Sequence, residues 1–207
     1  TADAALGFWD GGNTALHDNA AVDGGGGTWR ADTLNWTSVD GTLNGVFKPN
    51  PTYAVFQGQA GTVTVDDTAG AIGVTGLQIA TDGYRIQGDS ITLQGAGGVS
   101  IVRVGTGSIA DAGMTGTIAS SLEGHSTLTK TDFGTLVLAA DNTYTGGTDI
   151  RQGTLSVSRD ANLGAASGGL MLSGGMLTTT ASFDTARAVK VSAASGLAVS
   201  AGSTLGL

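Results

Sequence analysis

The chain has 207 residues, with 36 glycines, two prolines and no cysteine, and its charged residues amount to only 13%. Its formal net charge is −8 and its nine Lys and Arg residues are scattered, which argues against a nucleic-acid partner because phosphate binding needs a basic surface. No apolar run approaches the length of a membrane-spanning helix, so we expect no direct membrane span. The composition is instead typical of a folded chain made of many short strands.

The first part of the chain, residues 1–52, is rich in Gly, Asn and Asp, which predicts loops. Seven aromatic residues lie within the first 56 positions. One interpretation is that they bind a partner or a glycan, and the candidate residues are then Trp9, Trp29, Trp36 and Tyr53. The other interpretation, which we favour, is that residues 1–52 form a loop-rich cap over the open end of a solenoid.

From residue 53 to residue 207, short apolar clusters return every seven to ten residues and are separated by Gly-Gly, Asp-Gly and Asn-Thr turns. Within the clusters, apolar and polar residues alternate, as at Val63 and Val65, which predicts strands with one buried face. No helical stripe interrupts them, so we predict an all-β fold. The sequence GTLVL at 134–138 returns as GTLSV at 153–157, which favours a stacked β-solenoid over the alternatives, a β-sandwich or a closed barrel.

The most specific stretch is residues 128–157, LTKTDFGTLVLAADNTYTGGTDIRQGTLSV. It resembles the passenger-associated transport repeat of autotransporters, the type V secreted proteins of Gram-negative bacteria. Stretches such as FWDGG near the start and GYRIQGDSITLQG at 83–95 look like the non-repeat coils of the same proteins. The residues that carry the resemblance are Leu128, Lys130, Gly134, Thr135, Leu136, Leu138, Asn142, Tyr144, Gly146, Gly147, Thr148, Ile150, Gly153, Thr154 and Leu155.

This resemblance implies a right-handed parallel β-helix with three short strands per coil, forming part of a longer passenger. It also implies a location outside the cell, at the bacterial surface, and a C-terminal outer-membrane β-barrel in the same full-length protein. The repeat is then expected to support folding and secretion, and the segment to contribute to adhesion to a host-cell or matrix receptor. Two alternatives stay open, namely the structural stalk of an enzyme-type (protease or esterase) passenger and a self-associating aggregation module.

Groups that carry chemistry are few. Gly88-Asp89-Ser90-Ile91 is close to the GDSL signature of a serine esterase family, but neither His17 nor His125 has the Asp three positions earlier that the signature requires, so we expect no catalytic triad and no enzyme. Two distant histidines and no cysteine give no zinc spacing. We therefore expect no metal and no cofactor. Five carboxylates could supply oxygen ligands to calcium, but the glycine-rich calcium-binding repeat is absent, so we interpret them as solvated turn residues: Asp10, Asp18, Asp23, Asp66 and Asp67.

Overall fold

The computed structural model describes residues 6–207, in which all regular structure is β-strand apart from four short 3-10 helices. Within these residues no helix is both long enough and apolar enough to span a bilayer. The strands in chain order are β1 (Leu6–Trp9), β2 (Gly27–Trp29), β3 (Trp36–Thr37), β4 (Thr52–Phe56), β5 (Thr62–Val65), β6 (Ile72–Ile79), β7 (Arg85–Gly88), β8 (Ile91–Leu93), β9 (Val99–Val104), β10 (Thr115–Ile118), β11 (Leu122–Gly124), β12 (Thr127–Thr131), β13 (Thr135–Leu138), β14 (Thr148–Ile150), β15 (Thr154–Val157), β16 (Leu170–Leu172), β17 (Met176–Thr179), β18 (Phe183–Asp184), β19 (Val189–Val191), β20 (Gly196–Val199) and β21 (Leu205–Gly206).

Two parallel sheets run along the molecule. The larger sheet has the order β19-β16-β14-β12-β9-β6-β4-β1-β3, with β8 and β11 attached beside β6, and the smaller sheet has the order β2-β5-β7-β10-β13-β15-β17-β20. The chain alternates between the sheets, so each passage through both completes one coil. Because every pair except β1–β3 is parallel, the predicted β-solenoid is confirmed and the β-sandwich, which would pair its strands antiparallel, is excluded.

A third face closes each coil, and it contains strands only in places. In the central coils β8 pairs with β11, and in the last coils β18 pairs with β21. Strands β13 and β15 begin with the threonines of the two GTL motifs. These residues, Thr135 and Thr154, are register partners, and Thr154 is in turn the register partner of Met176. The 19-residue spacing seen in the sequence is therefore the length of one coil, and the next coil is three residues longer.

The core is a set of columns of inward-facing side chains, one side chain per coil. One column follows Leu136, Leu155 and Leu177, each at most 1% exposed. Stacking places chemically similar residues on top of each other, so each side chain packs against the coil before and the coil after it. This explains why short strands of three to five residues suffice for a continuous core.

The N-terminal end of the core is aromatic. β3 runs antiparallel to β1 and covers the edge of the larger sheet that would otherwise be open. Behind it the rings pack closely, with centroid distances of 4.8 Å between Trp29 and Trp36 and 4.4 Å between Trp36 and Phe47. An antiparallel strand and a plug of large rings are what a solenoid needs to protect an end from edge-to-edge pairing.

Candidate functional site

The repeat at residues 128–157 occupies strands β12 to β15, in the middle of the stack. Its apolar motif residues all point inward, and each is at most 1% exposed: Leu128, Leu136, Leu138, Ile150 and Leu155. Thr135 and Thr154 are half-buried on the outer side of the smaller sheet, where they lie next to each other. The apolar part of the motif is thus a core pattern, and its polar residues need a separate explanation.

Lys130 is the most unusual of the polar residues because it is fully buried. Its ammonium group donates hydrogen bonds to three backbone carbonyls, those of Thr131 at 2.7 Å, Asp132 at 2.8 Å and Gln152 at 3.2 Å. Burial lowers the pKa of Lys130 to about 8, while the nearby carboxylate of Asp132 works in the opposite direction. Since Gln152 belongs to the next coil, the ammonium joins two successive coils at their shared corner.

Asn142 makes a similar link on the third face. Its side-chain oxygen accepts a hydrogen bond of 2.8 Å from the Leu122 backbone nitrogen, and its side-chain nitrogen donates to the Asn162 carbonyl at 2.6 Å. The first partner lies about one coil earlier in the chain and the second about one coil later. A single buried amide therefore connects three coils.

The side-chain hydroxyl groups of Tyr144 and Thr148 form a hydrogen bond with each other inside the same coil. The Tyr144 hydroxyl lies 2.7 Å from the Thr148 hydroxyl, and the Thr148 hydroxyl also donates to the Leu163 carbonyl. Burial raises the pKa of Tyr144, so the phenol stays neutral at any physiological pH. This pairing lets a large ring fill the core without leaving its polar end unsatisfied.

The glycines of the motif lie where coils approach most closely. Gly153 has a φ of 61°, and a side chain there would also collide with the carbonyl oxygens of Asp132 and Gly134. Gly147 has a φ of 82° in the turn before β14, and a side chain on the adjacent Gly146 would collide with the backbone of the preceding coil. At these positions no other residue fits without moving the backbone.

Two buried polar groups that extend this network did not emerge from the sequence. Asn162, 20 residues after Asn142, donates to the Ala140 carbonyl of the preceding coil at 2.8 Å, and its side-chain oxygen accepts hydrogen bonds from the Ser158 and Arg159 backbone nitrogens. Arg187, whose side chain is 1% exposed, binds the Asp160 carboxylate at 2.7 Å and the carbonyls of the loop from 163 to 168. The 20-residue spacing between Asn142 and Asn162 could have identified Asn162 from the sequence, whereas Arg187 has no counterpart in the repeat.

The aromatic candidates for partner binding divide into two groups. The indole rings of Trp9, Trp29 and Trp36 are at most 2% exposed and belong to the core, so as folded they present no surface to a partner. Their burial argues for the capping interpretation instead. Tyr53 differs, because it is only half-buried and lies on the outer side of β4. Of the four candidates, it alone has surface that a partner can reach.

The groups weighed for catalysis and metal binding are not assembled into a site. His17 hydrogen-bonds to the Gly11 carbonyl and His125 to the Thr145 hydroxyl, so neither pairs with Ser90. Among residues 6–207 no group of three or more His, Asp or Glu side chains is arranged to hold a metal ion. Asp66 accepts hydrogen bonds from Thr68, and the exposed Asp67 has a raised pKa because it faces Asp89, as in an ordinary acidic turn.

Comparison with known proteins gives two matches. The family model described as "Passenger-associated-transport-repeat" matches residues 128–157. Over 99% of its length the chain is 46% identical to the Adhesin BmaC autotransporter of Brucella suis biovar 1 (strain 1330), and the aligned region is 6% of the length of that relative. No solved structure gives a significant match.

Proposed function

We propose that this chain is a segment of an autotransporter passenger and that it is a non-catalytic β-helical scaffold that contributes to adhesion, with its repeat coil supporting folding and secretion. The observation that carries the proposal is the similarity along the whole chain to a protein whose name is that of an adhesin. The passenger class implies a place at or outside the bacterial surface. Anchoring through a C-terminal outer-membrane β-barrel and binding of a host-cell or matrix receptor belong to the proposal.

The non-catalytic part of the proposal is supported by how the reactive side chains are used. The two histidines are hydrogen-bonded to the Gly11 carbonyl and the Thr145 hydroxyl rather than to Ser90. A nucleophile needs a base within hydrogen-bonding distance, held in place by a third group. A scaffold needs none of these and instead needs coils that stay in register.

Support for the folding role comes from the polar links of the repeat. Lys130 and Asn142 each take a partner from the following coil, namely the carbonyls of Gln152 and Asn162. An unpaired polar group in the core costs about 1–3 kcal/mol, so a coil that docks out of register is penalised. A chain that crosses a membrane unfolded and folds on the far side benefits from such a device, because each docked coil holds the next one in place.

The proposal is tested with bacteria that display the full passenger, either intact or without residues 1–207. We expect the deletion to lower adherence to host cells while the amount of passenger at the surface, measured by antibody binding, stays normal. A second strain carries Asn142→Leu, which removes the link between three coils, and we expect it to lower the amount displayed. Thr64→Ala, on the exposed face of β5, is the matched control for both.

Each part can fail separately. Unchanged adherence after the deletion would contradict the adhesive role and would favour a stalk for a function located elsewhere in the passenger. Normal display of the Asn142→Leu passenger, with normal resistance to protease, would contradict the folding role. A deletion that abolishes clumping of the bacteria but not their adherence would instead identify the segment as a self-association module.

A further inference from the structure

A shallow groove of about 450 Å³ crosses the outer face of the larger sheet near its N-terminal end. It spans strands β1, β4, β6 and β9 and lies outside the repeat and outside the aromatic core. We call it the sheet groove, and its principal lining residues are Phe8, Tyr53, Gln57, Gln78, Ile101 and Arg103. Its volume falls in the range of small-molecule sites in proteins.

Tyr53 forms the floor of the sheet groove because of a glycine on the neighbouring strand. Gly76 is its register partner on β6, and a Cβ there would lie only 2.5 Å from Cε2 of the Tyr53 ring. The Tyr53 hydroxyl donates a hydrogen bond of 3.1 Å to the Leu77 carbonyl. The ring therefore lies over Gly76 and is fixed at its polar end, and because Tyr53 is only half-buried, part of the ring surface lines the groove.

Polar groups surround this ring without adding net charge. The Arg103 guanidinium pairs with the Asp132 carboxylate at 2.9 Å, which balances its charge. Gln78 donates to the Gly105 carbonyl at 2.8 Å and is held in place by it. Within residues 6–207 the side-chain amide of Gln57 makes no hydrogen bond, so it is free to bind a ligand. The sheet groove thus combines a flat aromatic face, the exposed aliphatic side chain of Ile101 and a neutral polar rim.

These features point to one class of ligand. The position is in the middle of a sheet face, where the backbone groups of β4 and β6 are already paired with neighbouring strands on both sides. An extended peptide that binds by adding a strand needs a free edge, and it would bring backbone groups that this face cannot satisfy. A neutral sugar ring has C–H groups on its face and hydroxyls around its edge, which match the ring and the rim.

We propose that the sheet groove binds a neutral saccharide, with one pyranose ring stacked on the exposed face of Tyr53 and its hydroxyls bound by Gln57 and Gln78. The negative face of an aromatic ring attracts the slightly positive C–H groups of the sugar. The balanced Arg103–Asp132 pair gives no preference for an acidic sugar. This inference rests on the proposed adhesive role and names the chemical class that the segment recognises.

The test is saturation-transfer NMR on the purified full passenger with methyl glycosides of glucose, galactose, mannose, N-acetylglucosamine and fucose, and with lactose. A capped neutral peptide represents the other ligand class. We expect transfer to at least one glycoside. Tyr53→Ala removes the ring and should weaken binding at least about tenfold, whereas Tyr53→Phe keeps the ring but loses the hydrogen bond to Leu77 and should weaken binding less. Gly76→Ala should weaken it as Tyr53→Ala does, by displacing the ring, and Thr64→Ala should have no effect.

Circular dichroism and thermal unfolding establish that each variant is folded, and a Tyr53→Ala variant that fails to fold is replaced by Gln57→Ala together with Gln78→Ala. The proposal is overturned by an absence of transfer to all six saccharides, by transfer to the peptide alone, or by equal binding in Tyr53→Ala. If saccharide binding is absent while deletion of residues 1–207 still lowers adherence, only the groove proposal fails. If saccharide binding is present while adherence is unchanged, only the adhesive role fails.

Discussion

Replacing Lys130 with methionine is the most informative change in the repeat, because methionine has a similar length and no charge. The substitution removes three hydrogen bonds from a charged donor to carbonyls at 2.7, 2.8 and 3.2 Å. Hydrogen bonds to charged groups are worth about 1.5–3 kcal/mol each, and the substitution leaves three carbonyls without this donor, but it also removes the desolvation cost of a buried ammonium, which offsets part of the loss. The balance is a loss of about 3 kcal/mol in the free energy of unfolding at pH 7.

The pH dependence of this loss is the sharper prediction. Below pH 8, Lys130 is charged in both the folded and the unfolded chain, whereas between pH 8 and 10.5 the unfolded chain binds more protons. The free energy of unfolding therefore rises with pH across this interval. From pH 7 to pH 9.5 the rise due to Lys130 is about 2 kcal/mol. The difference between the unaltered protein and Lys130→Met should widen by the same amount.

Urea unfolding at pH 7 and at pH 9.5, followed by circular dichroism, measures both quantities. The upper pH stays below the range in which buried tyrosines matter, such as Tyr84, whose pKa burial raises to about 12. Lys190→Met is the matched control, because Lys190 is exposed on the same sheet and should change neither stability nor pH dependence. A Lys130→Met variant whose stability changes with pH as the unaltered protein's does would refute the assignment of a buried, weakly basic amine.

Two further substitutions test other links of the stack by urea unfolding. Arg187→Lys should lower the free energy of unfolding by about 3 kcal/mol, because a lysine cannot reproduce the bidentate contact with Asp160 and the bonds to the loop carbonyls. The control is Arg85→Lys, at an exposed position, which should change the free energy of unfolding little. Gly153→Ala and Gly97→Ala share a φ near 60°, but only the first would collide with neighbouring backbone. We therefore expect Gly97→Ala to lower the free energy of unfolding by about 1 kcal/mol and Gly153→Ala to lower it by at least twice as much. Equal effects would contradict the proposed close approach of coils.

The solenoid was predictable from the sequence because its signals are local and repeated. The alternation of apolar and polar residues in short segments predicted β-strands, and the return of Gly-Thr-Leu at residues 134 and 153 predicted the length of a coil. Stacking turns a sequence period into a spatial neighbour, so one correct spacing fixes many contacts at once. The inward direction of Leu136 and Leu155 followed from the same argument.

The burial of charged and aromatic residues was not predictable in this way. Lys130 has the sequence context of an exposed strand residue, and only the carbonyls supplied by a second coil make its burial possible. Arg187 depends on a loop about 20 residues earlier that has no distinctive sequence. The sheet groove depends on Tyr53 and Gly76 being register partners, a relation that shifts by one residue at a bulge in β4–β6 and that the sequence does not reveal.

The polar links also determine how far the effect of a substitution travels. In the column of Leu136, Leu155 and Leu177, each side chain packs against the coils before and after it, so the stability of a coil depends on its neighbours. Asn142 takes partners from both sides, so losing its amide weakens two junctions, whereas a change at the half-buried Thr135 affects only an outer face. If the role of the repeat is to make one coil hold the next, its motif residues must lie at the junctions between coils and not on the outer faces.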